Sequence, residues 1–400
     1  MDLAQALQTM DGFGVSNAML STALSDAQAD KFFDKDKGIG LSMLRLGINA
    51  SGDSSGPWAD VKKAAARGAI IWAAPWTPPS SCKDNGSNVG GHLKTSCYDS
   101  WATTLAGFAA KLKQNANLPL YAVSAQNEPD NTVSYDSCFF TPSEMVAFVK
   151  VLGPKLKALN PPVKLVAAEG TTFEDLWGTS PNKGSYNYGV AILADSAAAA
   201  AVDILGTHQY ETQDAVAPPA GVSKPIWQTE MSGVQGFPEA GPSSDIANGI
   251  AVAKWIHNSI AIGMVAAWHW WWWIPLNADN EGLLLKDGSE TKRLYTLGNY
   301  SKFVRPGYQR VAVSGTMPAD VLVTGYKNPT DGTLVIVAIN SATAAAPVSF
   351  FISGNTPCSM TPWVTSSKDS LASKSAVAVA DGHLSVSLAA QSVTSFVGKP

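Results

Sequence analysis

Two glutamates follow apolar segments at points where a carboxyl could take part in catalysis. Glu128 lies in Asn127-Glu128-Pro129, just after the run Leu120–Ala125, and Glu230 directly follows the run Pro225–Thr229. Both runs are short and end at polar residues, as buried strands do. Cleavage of a glycosidic bond needs two carboxyls, one protonated to release the leaving oxygen and one ionised to attack the anomeric carbon. Glu128 is therefore the candidate general acid/base and Glu230 the candidate nucleophile.

The two carboxyls must approach each other if they are to act on one bond. A separation of about 5–5.5 Å allows a covalent intermediate and retention of configuration. Charge repulsion at that distance, with partial desolvation, should raise the pKa of one carboxyl and lower that of the other. Asn127 could hydrogen-bond a sugar hydroxyl beside the reacting centre. The alternative is that Asn127-Glu128-Pro129 is only a turn, because Asn and Pro favour turns.

Further candidates stand at the ends of other apolar runs, where barrel enzymes carry their working groups. They are Arg45, Trp76, His208 and Tyr210. A cation at Arg45 near Glu230 would hold that carboxyl ionised, and the Tyr210 hydroxyl could act similarly by hydrogen bonding. Arg45 could instead form a structural ion pair, and Tyr210 could serve only in packing.

Residues 268–273 are all aromatic, with five tryptophans and one histidine. Because strand side chains alternate, Trp268, Trp270 and Trp272 should share one face, and the remaining residues should point to the other side. We expect Trp272, the nearest of the three to the carboxyl end, to form the floor of the subsite for the sugar at the cleavage point.

Eight apolar runs of strand character alternate with segments of helical pattern such as Tyr98–Gln114, Pro142–Leu159 and Ser244–Ala261. The strands are expected at Gly12–Ser16, Leu41–Ile48, Ala69–Ala74, Leu120–Ala125, Val163–Ala168, Ile204–His208, Pro225–Thr229 and Met264–Trp272. The alternation predicts an α/β fold with a parallel sheet, and eight units favour a closed (β/α)8 barrel over an open sheet. Gly12-Phe13-Gly14 lacks the third glycine and the acidic residue of a dinucleotide site.

The sequence changes in character near Arg305. Short β-type runs follow at Val321–Tyr326, Leu334–Ile339, Val348–Ile352, His383–Leu388 and Val393–Val397, and Asp331-Gly332 is the best hairpin signal. We expect a catalytic barrel over residues 10–303 and an all-β side domain of β-sandwich type over residues 304–400, with residues 1–9 packing against the side domain.

Composition argues against several classes of partner. Charged residues make up only 15% of the chain, and the net charge of -4 comes without a Lys/Arg cluster, so neither nucleic acid nor a membrane surface is an expected partner. The apolar stretch Ile260–Leu276 is interrupted by His269 and is shorter than the about 20 residues of a membrane span. The 13 tryptophans suit the apolar faces of neutral sugars, although tryptophan also fills large cores.

The four cysteines are Cys82, Cys97, Cys138 and Cys358, and they allow three pairings if all are oxidised. Cys82 and Cys97 share one Gly/Ser/Asn-rich segment, where a local disulfide would stiffen a loop. There is no Cys-x-x-Cys motif and the five histidines are scattered. We therefore expect neither a metal site nor a cofactor.

The chain resembles glycoside hydrolase family 30 nearly from end to end. The resemblance is carried by Asp11-Gly-Phe-Gly14, Leu41-Ser-Met-Leu-Arg45, Ala74-Pro-Trp-Thr-Pro-Pro79, Gly90-Gly91-His-Leu93, Tyr121 to Pro129, Tyr135-Asp-Ser-Cys138, Trp227-Gln-Thr-Glu230 and Phe303-Val-Arg-Pro-Gly307. It implies a barrel with an attached β domain and a retaining mechanism in which Glu128 is the acid/base on strand four and Glu230 the nucleophile on strand seven. It also implies that Trp76, Tyr135 and Trp272 contact sugar.

Within this family the chain is most similar to the bacterial endo-β-1,4-xylanases, many of which anchor a glucuronic acid branch of xylan. Their loop after strand eight resembles Trp-Trp-Tyr-Ile-Arg-Arg, and its arginine binds the uronate. Here Ile274 is followed by Pro275-Leu276-Asn277-Ala278-Asp279, which offers no arginine for a bidentate contact. We therefore expect an endo-xylanase that does not depend on a glucuronate branch.

Other activities and properties remain open at this point. The alternatives are a β-1,6-galactanase, a β-1,6-glucanase or an exo-acting β-glycosidase of the same family, a catalytically silent carbohydrate-binding protein, and a metal-dependent barrel hydrolase. The expected partner is a polysaccharide or oligosaccharide, and the protein is expected to be a monomer. Residues from Met1 onward show no basic or apolar leader segment, so secretion is an expectation from the polymeric substrate and the resemblance alone.

Overall fold

The protein folds around a closed barrel of eight parallel strands. The computed structural model describes residues 1–179, 186–233, 237 and 241–400. An outer strand, β1 (Asp2–Thr9), precedes the barrel. The barrel strands are β2 (Gly12–Ser16), β3 (Met43–Ile48), β4 (Ile70–Pro75), β5 (Ala122–Ser124), β6 (Lys164–Gly170), β7 (Ile204–His208), β8 (Ile226–Glu230) and β9 (Ala267–Trp272). Pairing of β9 with β2 closes the ring, so the expected eight-stranded barrel is confirmed.

Helices connect most of the barrel strands. They are α1 (Asp26–Phe33), α2 (Trp58–Ala65), α3 (Tyr98–Ala116), α4 (Pro142–Lys157), α5 (Phe173–Trp177), α6 (Tyr188–Ala194), α7 (Ser196–Ala201), α8 (Ile246–Ala261) and α9 (Lys292–Ser301), with short 3-10 turns at Ser80–Cys82 and Thr95–Cys97. Thr141 begins α4 with a capping box, in which its hydroxyl accepts from the Glu144 N–H and the Glu144 carboxylate accepts from the Thr141 N–H. No helix in the described part of the chain combines the length and apolar character of a membrane span.

A separate antiparallel sheet follows the barrel. Its strands and the small sheet beside it are β10 (Gln309–Ala312), β11 (Val321–Lys327), β12 (Leu334–Asn340), β13 (Ala346–Phe351), β14 (Ser359–Thr365), β15 (Ala372–Ser373), β16 (Val377–Ala378), β17 (His383–Leu388) and β18 (Ser392–Gly398). The main sheet runs β1-β10-β11-β12-β18-β14-β15 with β16 on β14, and β13 pairs only with β17. Asp331-Gly332 lies in the β11–β12 hairpin, where Gly332 takes a φ of 76°.

The sheet packs on the barrel through one of its faces. Tyr326, Val335, Val337 and Val393 belong to the same buried apolar cluster as the barrel, whereas the opposite face packs on the β13–β17 pair. Asn299 of α9 reinforces the junction, because its Nδ2 donates to the Trp363 carbonyl (2.9 Å) and the Ser395 hydroxyl (3.0 Å). The barrel and the sheet therefore share one continuous apolar core.

The sequence patterns miss or shift some elements. The run Leu120–Ala125 forms only a three-residue strand, Ala122–Ser124. Strand β14 is absent from the sequence-based expectation because Pro362 interrupts its pattern, and proline normally disfavours an inner strand. Both differences arise because tertiary pairing, rather than local propensity, decides where a strand ends.

Candidate active site

Arg45 lies at the centre of a polar cluster at the carboxyl end of the barrel. Its Nη1 donates to Glu230 Oε2 (2.5 Å), and its Nη2 donates to Asn127 Oδ1 (2.6 Å) and to Glu169 Oε1 (3.0 Å). The guanidinium is fully buried and lies 4.9 Å from the Trp76 ring centroid. Arg45 therefore balances the charge of two carboxylates in a site from which water is largely excluded.

Glu128 is held in an unusual backbone conformation. Its φ of 44° lies in the left-handed region that non-glycine residues rarely adopt, and such strain is common at functional sites. Its N–H donates to the Glu169 carbonyl (3.0 Å), which fixes the residue to strand β6. Its side chain accepts from Asn131 Nδ2 (3.0 Å) and the Tyr135 hydroxyl (3.2 Å), and Oε1 lies 3.2 Å from His208 Nδ1.

Glu230 is the last residue of β8, and both of its carboxylate oxygens are oriented. Tyr210 donates its hydroxyl to Oε1 (2.8 Å), and Arg45 donates to Oε2. One carboxylate oxygen of Glu230 and one of Glu128 lie within 4.8 Å of each other, and the same distance limit includes a ring nitrogen of His208. The barrel therefore brings the two candidate glutamates together.

The two carboxyls lie at the bottom of a cavity of about 480 Å³. Glu128 is 5% exposed and Glu230 is 6% exposed. The lining residues are Met19, Trp76, Asn127, Glu128, Asn131, Tyr135, Thr171, Tyr210, Glu211, Glu230, Ser232, Trp271, Trp272 and Glu281. All of the sequence-based candidates line the cavity except Arg45 and His208. These two are fully buried and contact the carboxylates of Glu230 and Glu128 directly.

The charges of the cluster shift several pKa values. Burial disfavours a charged His208, yet the nearby carboxylates of Glu230, Glu128 and Glu169 raise its pKa to about 9. Burial also opposes ionisation of Glu169, but the adjacent Arg45 and His208 lower the pKa of that carboxyl to about 2. At neutral pH the cluster therefore contains a protonated His208 beside an ionised Glu169.

The expected pKa rise on the candidate acid is not seen. Burial would raise the pKa of Glu128, but His208, followed by Asn131 and Tyr135, lowers it. The expectation considered only repulsion between the two glutamates and took no account of a protonated histidine 3.2 Å away. At neutral pH the proton of this pair therefore resides on His208.

Strand β9 departs from simple alternation. It pairs Val15 with Trp270 and then Ser16 with Trp272, so Trp271 forms a bulge. The bulge stacks the Trp271 and Trp272 rings with centroids 4.8 Å apart, and both rings line the cavity.

The expected grouping of alternate tryptophans on β9 is therefore wrong. Trp268 donates its indole N–H to Gln209 Oε1 (3.1 Å), and Trp270 packs against Phe237. Trp272 alone of this set reaches the cavity, because the bulge turns it toward the barrel mouth.

Several residues of the site are not singled out by the sequence patterns, among them Asn131, Glu169, Trp271 and Glu281. Glu169 had a usable signal, because it directly follows the apolar run Val163–Ala168 just as Glu230 follows its own run. Asn131 and Glu281 lie on irregular segments, and no periodicity marks such positions.

The cysteine pairing that the sequence leaves open is resolved by the structure. Cys82 and Cys97 form a disulfide, with Cα atoms 5.7 Å apart. Cys138 is buried with a free thiol, and Cys358 is free and exposed.

A metal could in principle use Glu128, His208 and Glu230, the one such group of ligands among the described residues. A histidine ligand must be neutral, however, and the raised pKa keeps His208 protonated at neutral pH. The arrangement therefore suits acid/base chemistry better than metal binding.

Comparison with known proteins identifies the family. The model of the glycosyl hydrolase family 30 TIM-barrel domain matches residues 56–220. The glucuronoxylanase XynC of Bacillus subtilis strain 168 is 31% identical over 98% of this chain and 89% of its own length. The chain belongs to glycoside hydrolase family 30. As a family 30 protein it is an O-glycosyl hydrolase, and its substrate is a carbohydrate.

Two solved family 30 structures share the entire architecture. The subfamily 8 xylanase of Clostridium acetobutylicum superposes with a TM-score of 0.85 at 32% identity, covering 100% of this chain and 99% of that one. The family 30 endoxylanase of Clostridium papyrosolvens gives 0.81 at 31% identity, with the same coverage. The barrel and its attached sheet are therefore the architecture of the family.

Proposed function

We propose that this family 30 enzyme is a retaining endo-β-1,4-xylanase that does not depend on a glucuronate branch. The observation that carries the mechanism is the approach of the Glu128 and Glu230 carboxylate oxygens to within 4.8 Å. Retaining enzymes separate their carboxyl groups by about 5–5.5 Å, whereas inverting enzymes need roughly 6.5–9.5 Å to admit a water. The short separation favours double displacement.

In the first step Glu230 attacks the anomeric carbon while Glu128 protonates the departing glycosidic oxygen. In the second step Glu128 removes a proton from water while the water oxygen attacks the anomeric carbon, and the bond from that carbon to Glu230 breaks. Arg45 and Tyr210 each donate to one Glu230 oxygen, which orients the carboxylate for attack.

The proton of the first step can come from His208. Its Nδ1 lies 3.2 Å from Glu128 Oε1, within reach of a direct transfer. A bound sugar would expel water from the cavity and so favour the neutral form of Glu128. Sugar binding therefore makes Glu128 the general acid, although His208 holds the proton before the sugar binds.

Aromatic rings and one amide are the candidate sugar contacts. Trp76, Tyr135 and Trp272 line the cavity and offer flat apolar surfaces. The Oδ1 of Asn127 accepts from Arg45, so its Nδ2 is the group that can donate to a sugar hydroxyl beside the reacting carbon.

The charge of the cavity supports an unbranched xylan as substrate. The described lining includes the acidic residues Glu128, Glu211, Glu230 and Glu281 and contains neither lysine nor arginine. A uronate would therefore meet like charge without a cationic partner. The relatives with 31% and 32% identity are a glucuronoxylanase and a xylanase, which favours xylan as the backbone.

One experiment tests both the linkage and the mode of action. The enzyme would be incubated with unbranched xylan, glucuronoxylan, β-1,6-galactan and β-1,6-glucan, and the products sized by chromatography. We expect a ladder of xylo-oligosaccharides, with cutting of glucuronoxylan that does not require a branch beside the cleaved bond. Cutting only beside glucuronate would contradict branch independence. Hydrolysis of a β-1,6-linked polymer, or release of monomer only, would replace the xylanase assignment, and binding without hydrolysis of any polymer would indicate a silent binding protein.

We also propose that the enzyme acts outside the cell as a monomer. A polymeric substrate cannot enter the cell, which makes secretion the simplest way to reach it. Light scattering during size exclusion should give one chain of 41.9 kDa. A stable dimer mass would contradict the monomer.

A further inference from the structure

Lys83 is a fully buried lysine close to the cavity. Its Nζ donates to the Ser137 carbonyl (2.6 Å) and the Thr77 hydroxyl (3.2 Å), and burial lowers the pKa of its amine. Within the described chain no carboxylate forms an ion pair with it. Burying an amine with neutral oxygens as its only hydrogen-bond partners costs free energy of folding. This cost points to a role of Lys83 in holding the segments that carry these oxygens.

The two segments that Lys83 joins both carry aromatic residues of the cavity. Thr77 directly follows Trp76 at the end of β4, and Ser137 lies two residues after Tyr135. Trp76 and Tyr135 both line the cavity. Lys83 therefore links two parts of the substrate-facing wall that are far apart in sequence.

Lys83 itself belongs to a loop closed by the disulfide, here called the Cys82–Cys97 loop (residues 82–97). This loop binds the Tyr135 segment along its backbone. The Ser137 N–H donates to the Asn88 carbonyl (3.0 Å), the Gly90 N–H donates to the Ser137 hydroxyl (2.9 Å), and that hydroxyl donates to the Tyr135 carbonyl (3.0 Å). The Tyr135 segment is thus fixed from outside by a cross-linked loop.

Tyr135 needs such support. Its side chain is 46% exposed, yet its hydroxyl reaches Glu128 Oε2 at 3.2 Å. An exposed tyrosine on an irregular segment would lose conformational entropy on making this bond unless its backbone were already ordered.

We propose that Lys83, as part of the Cys82–Cys97 loop, is a positioning residue that holds Tyr135 over the acid/base Glu128. The inference rests on the proposed function, because it assumes that Glu128 is the acid/base. It assigns a catalytic consequence to a lysine and a disulfide that touch neither the substrate nor Glu128.

The consequence is a change in the pH profile. The Tyr135 hydroxyl donates to the ionised form of Glu128, so its loss raises the pKa of that carboxyl and moves the alkaline limb of the activity profile upward. Five other charged or titratable groups face Glu128. They are Arg45 of β3, Glu169 of β6, His208 of β7, Tyr210 of the segment after β7, and Glu230 of β8. None of them contacts Lys83, so the substitution should change only the Tyr135 contribution.

The test is a double-mutant cycle of Lys83→Met and Tyr135→Phe, with kcat/KM followed from acid to alkaline pH on the polymer that the wild-type enzyme hydrolyses. Each single variant should lose about tenfold in kcat/KM, the effect of one hydrogen bond to a charged group. Each should also move the alkaline limb upward, and the double variant should resemble Tyr135→Phe. Losses that multiply in the double variant, or an unmoved limb in Lys83→Met, would overturn the inference.

Lys224→Met is the matched control. Lys224 also has a pKa lowered by burial and donates to a backbone carbonyl, that of Val202 (2.7 Å), but it lies before β8 at the opposite end of the barrel. Lys224 is only partly buried, so the variant should lose some stability without a change in the pH profile, and a shift there would mean that loss of any desolvated lysine has this effect.

A second measurement decides the matter if Lys83→Met does not fold. Reduction of the Cys82–Cys97 disulfide in folded wild-type enzyme should move the alkaline limb upward, and the same treatment should leave Tyr135→Phe unmoved. An unmoved limb in reduced wild type overturns the inference. Glu128→Gln separates this failure from that of the proposed function: undiminished activity in that variant refutes the acid/base assignment itself.

Discussion

The polar cluster around Arg45 has more anionic than cationic groups. Three buried carboxylates, of Glu128, Glu169 and Glu230, meet the two cations Arg45 and His208. One excess negative charge therefore remains in a site with little water. The proposed mechanism delivers a proton at this place, to the glycosidic oxygen, and the protonated His208 beside Glu128 can supply it.

Glu230→Ala tests the proposed nucleophile at this scale. We expect kcat to fall by at least about 10³-fold, because no other described group can form the covalent bond, while oligosaccharide binding persists. Hydrolysis rates and calorimetric binding would be measured side by side. Asp287→Asn, an exposed acid on the loop after β9, is the control and should keep wild-type activity. Undiminished hydrolysis by Glu230→Ala would refute the assignment.

Glu281 is expected to act in substrate selection. Burial, followed by the charges of Asp279 and Glu230, raises its pKa to about 7, so it is ionised above neutral pH. Glu281→Gln should improve kcat/KM on glucuronate-branched oligosaccharides relative to linear ones by about tenfold, because a like-charge contact is removed. In the wild type the discrimination should grow as the pH rises through 7. A ratio equal in wild type and variant would show that Glu281 does not sense the branch.

At the scale of elements, strand β9 explains why the aromatic wall contains adjacent residues. The bulge at Trp271 allows two consecutive indoles to line one cavity, which a regular strand cannot do. The part of the cavity wall next to β9 is formed by irregular segments. Helices such as α4, which begins at a defined N-cap, support these segments.

The cap of α4 gives an element-scale prediction. Thr141→Ala removes the hydroxyl that accepts from the Glu144 N–H and should lower the free energy of unfolding by about 1 kcal/mol. Urea denaturation would measure the loss. Thr103→Ala, whose exposed hydroxyl donates to the Asp99 carbonyl inside α3, should change stability by less. Equal losses would mean that the capping box does not contribute.

At the scale of the whole molecule, the barrel and sheet are held by one continuous core. Tyr326, Val335 and Ile339 of the sheet lie in the same buried cluster as the barrel residues. We propose residues 10–303 and 304–400 as the two domains, with residues 1–9 assigned to the second through the β1–β10 pairing. Each domain by itself would expose to water the apolar residues that it buries against the other domain.

Removal of residues 304–400 should therefore abolish folding of the barrel. The apolar face beneath β11, β12 and β18 would become exposed to water, and large exposed patches cause aggregation. Expression of residues 10–303 should give insoluble protein, and co-expression with the missing part should restore solubility. A soluble, cooperatively unfolding and active barrel alone would contradict this expectation.

The three buried histidines His208, His257 and His269 should make their largest joint contribution to stability near pH 6.5. The pKa of His208 is raised to about 9, so its contribution is complete below about 6.5 and is lost as the pH rises toward 9. Burial lowers the pKa of His257 to about 4 and that of His269 to about 3, so stability also falls as the pH drops below about 6.5.

Urea unfolding between pH 4 and pH 9 would measure this profile. His208→Gln should flatten its alkaline side, and His383→Gln, an exposed substitution, should leave the profile unchanged. A stability that rises from pH 6.5 to pH 9 in the wild type would contradict the protonated state of His208.

The sequence by itself determined the eight strand and helix units, the all-β segment after them, and the positions of Glu128 and Glu230 at strand ends. Hydrophobic periodicity, turn residues and the ends of apolar runs are local properties of the sequence, and they can be recognised without knowledge of the tertiary contacts. Glu169 carries the same signal, because it directly follows the apolar run Val163–Ala168.

Only the tertiary structure decided which tryptophans reach the cavity, that Cys82 bonds to Cys97, and that His208 rather than Glu128 holds the proton at neutral pH. Each of these depends on atoms that come together from segments distant in sequence. A bulge, a disulfide and a shifted pKa are consequences of distance and burial, and these quantities exist only once the chain is folded.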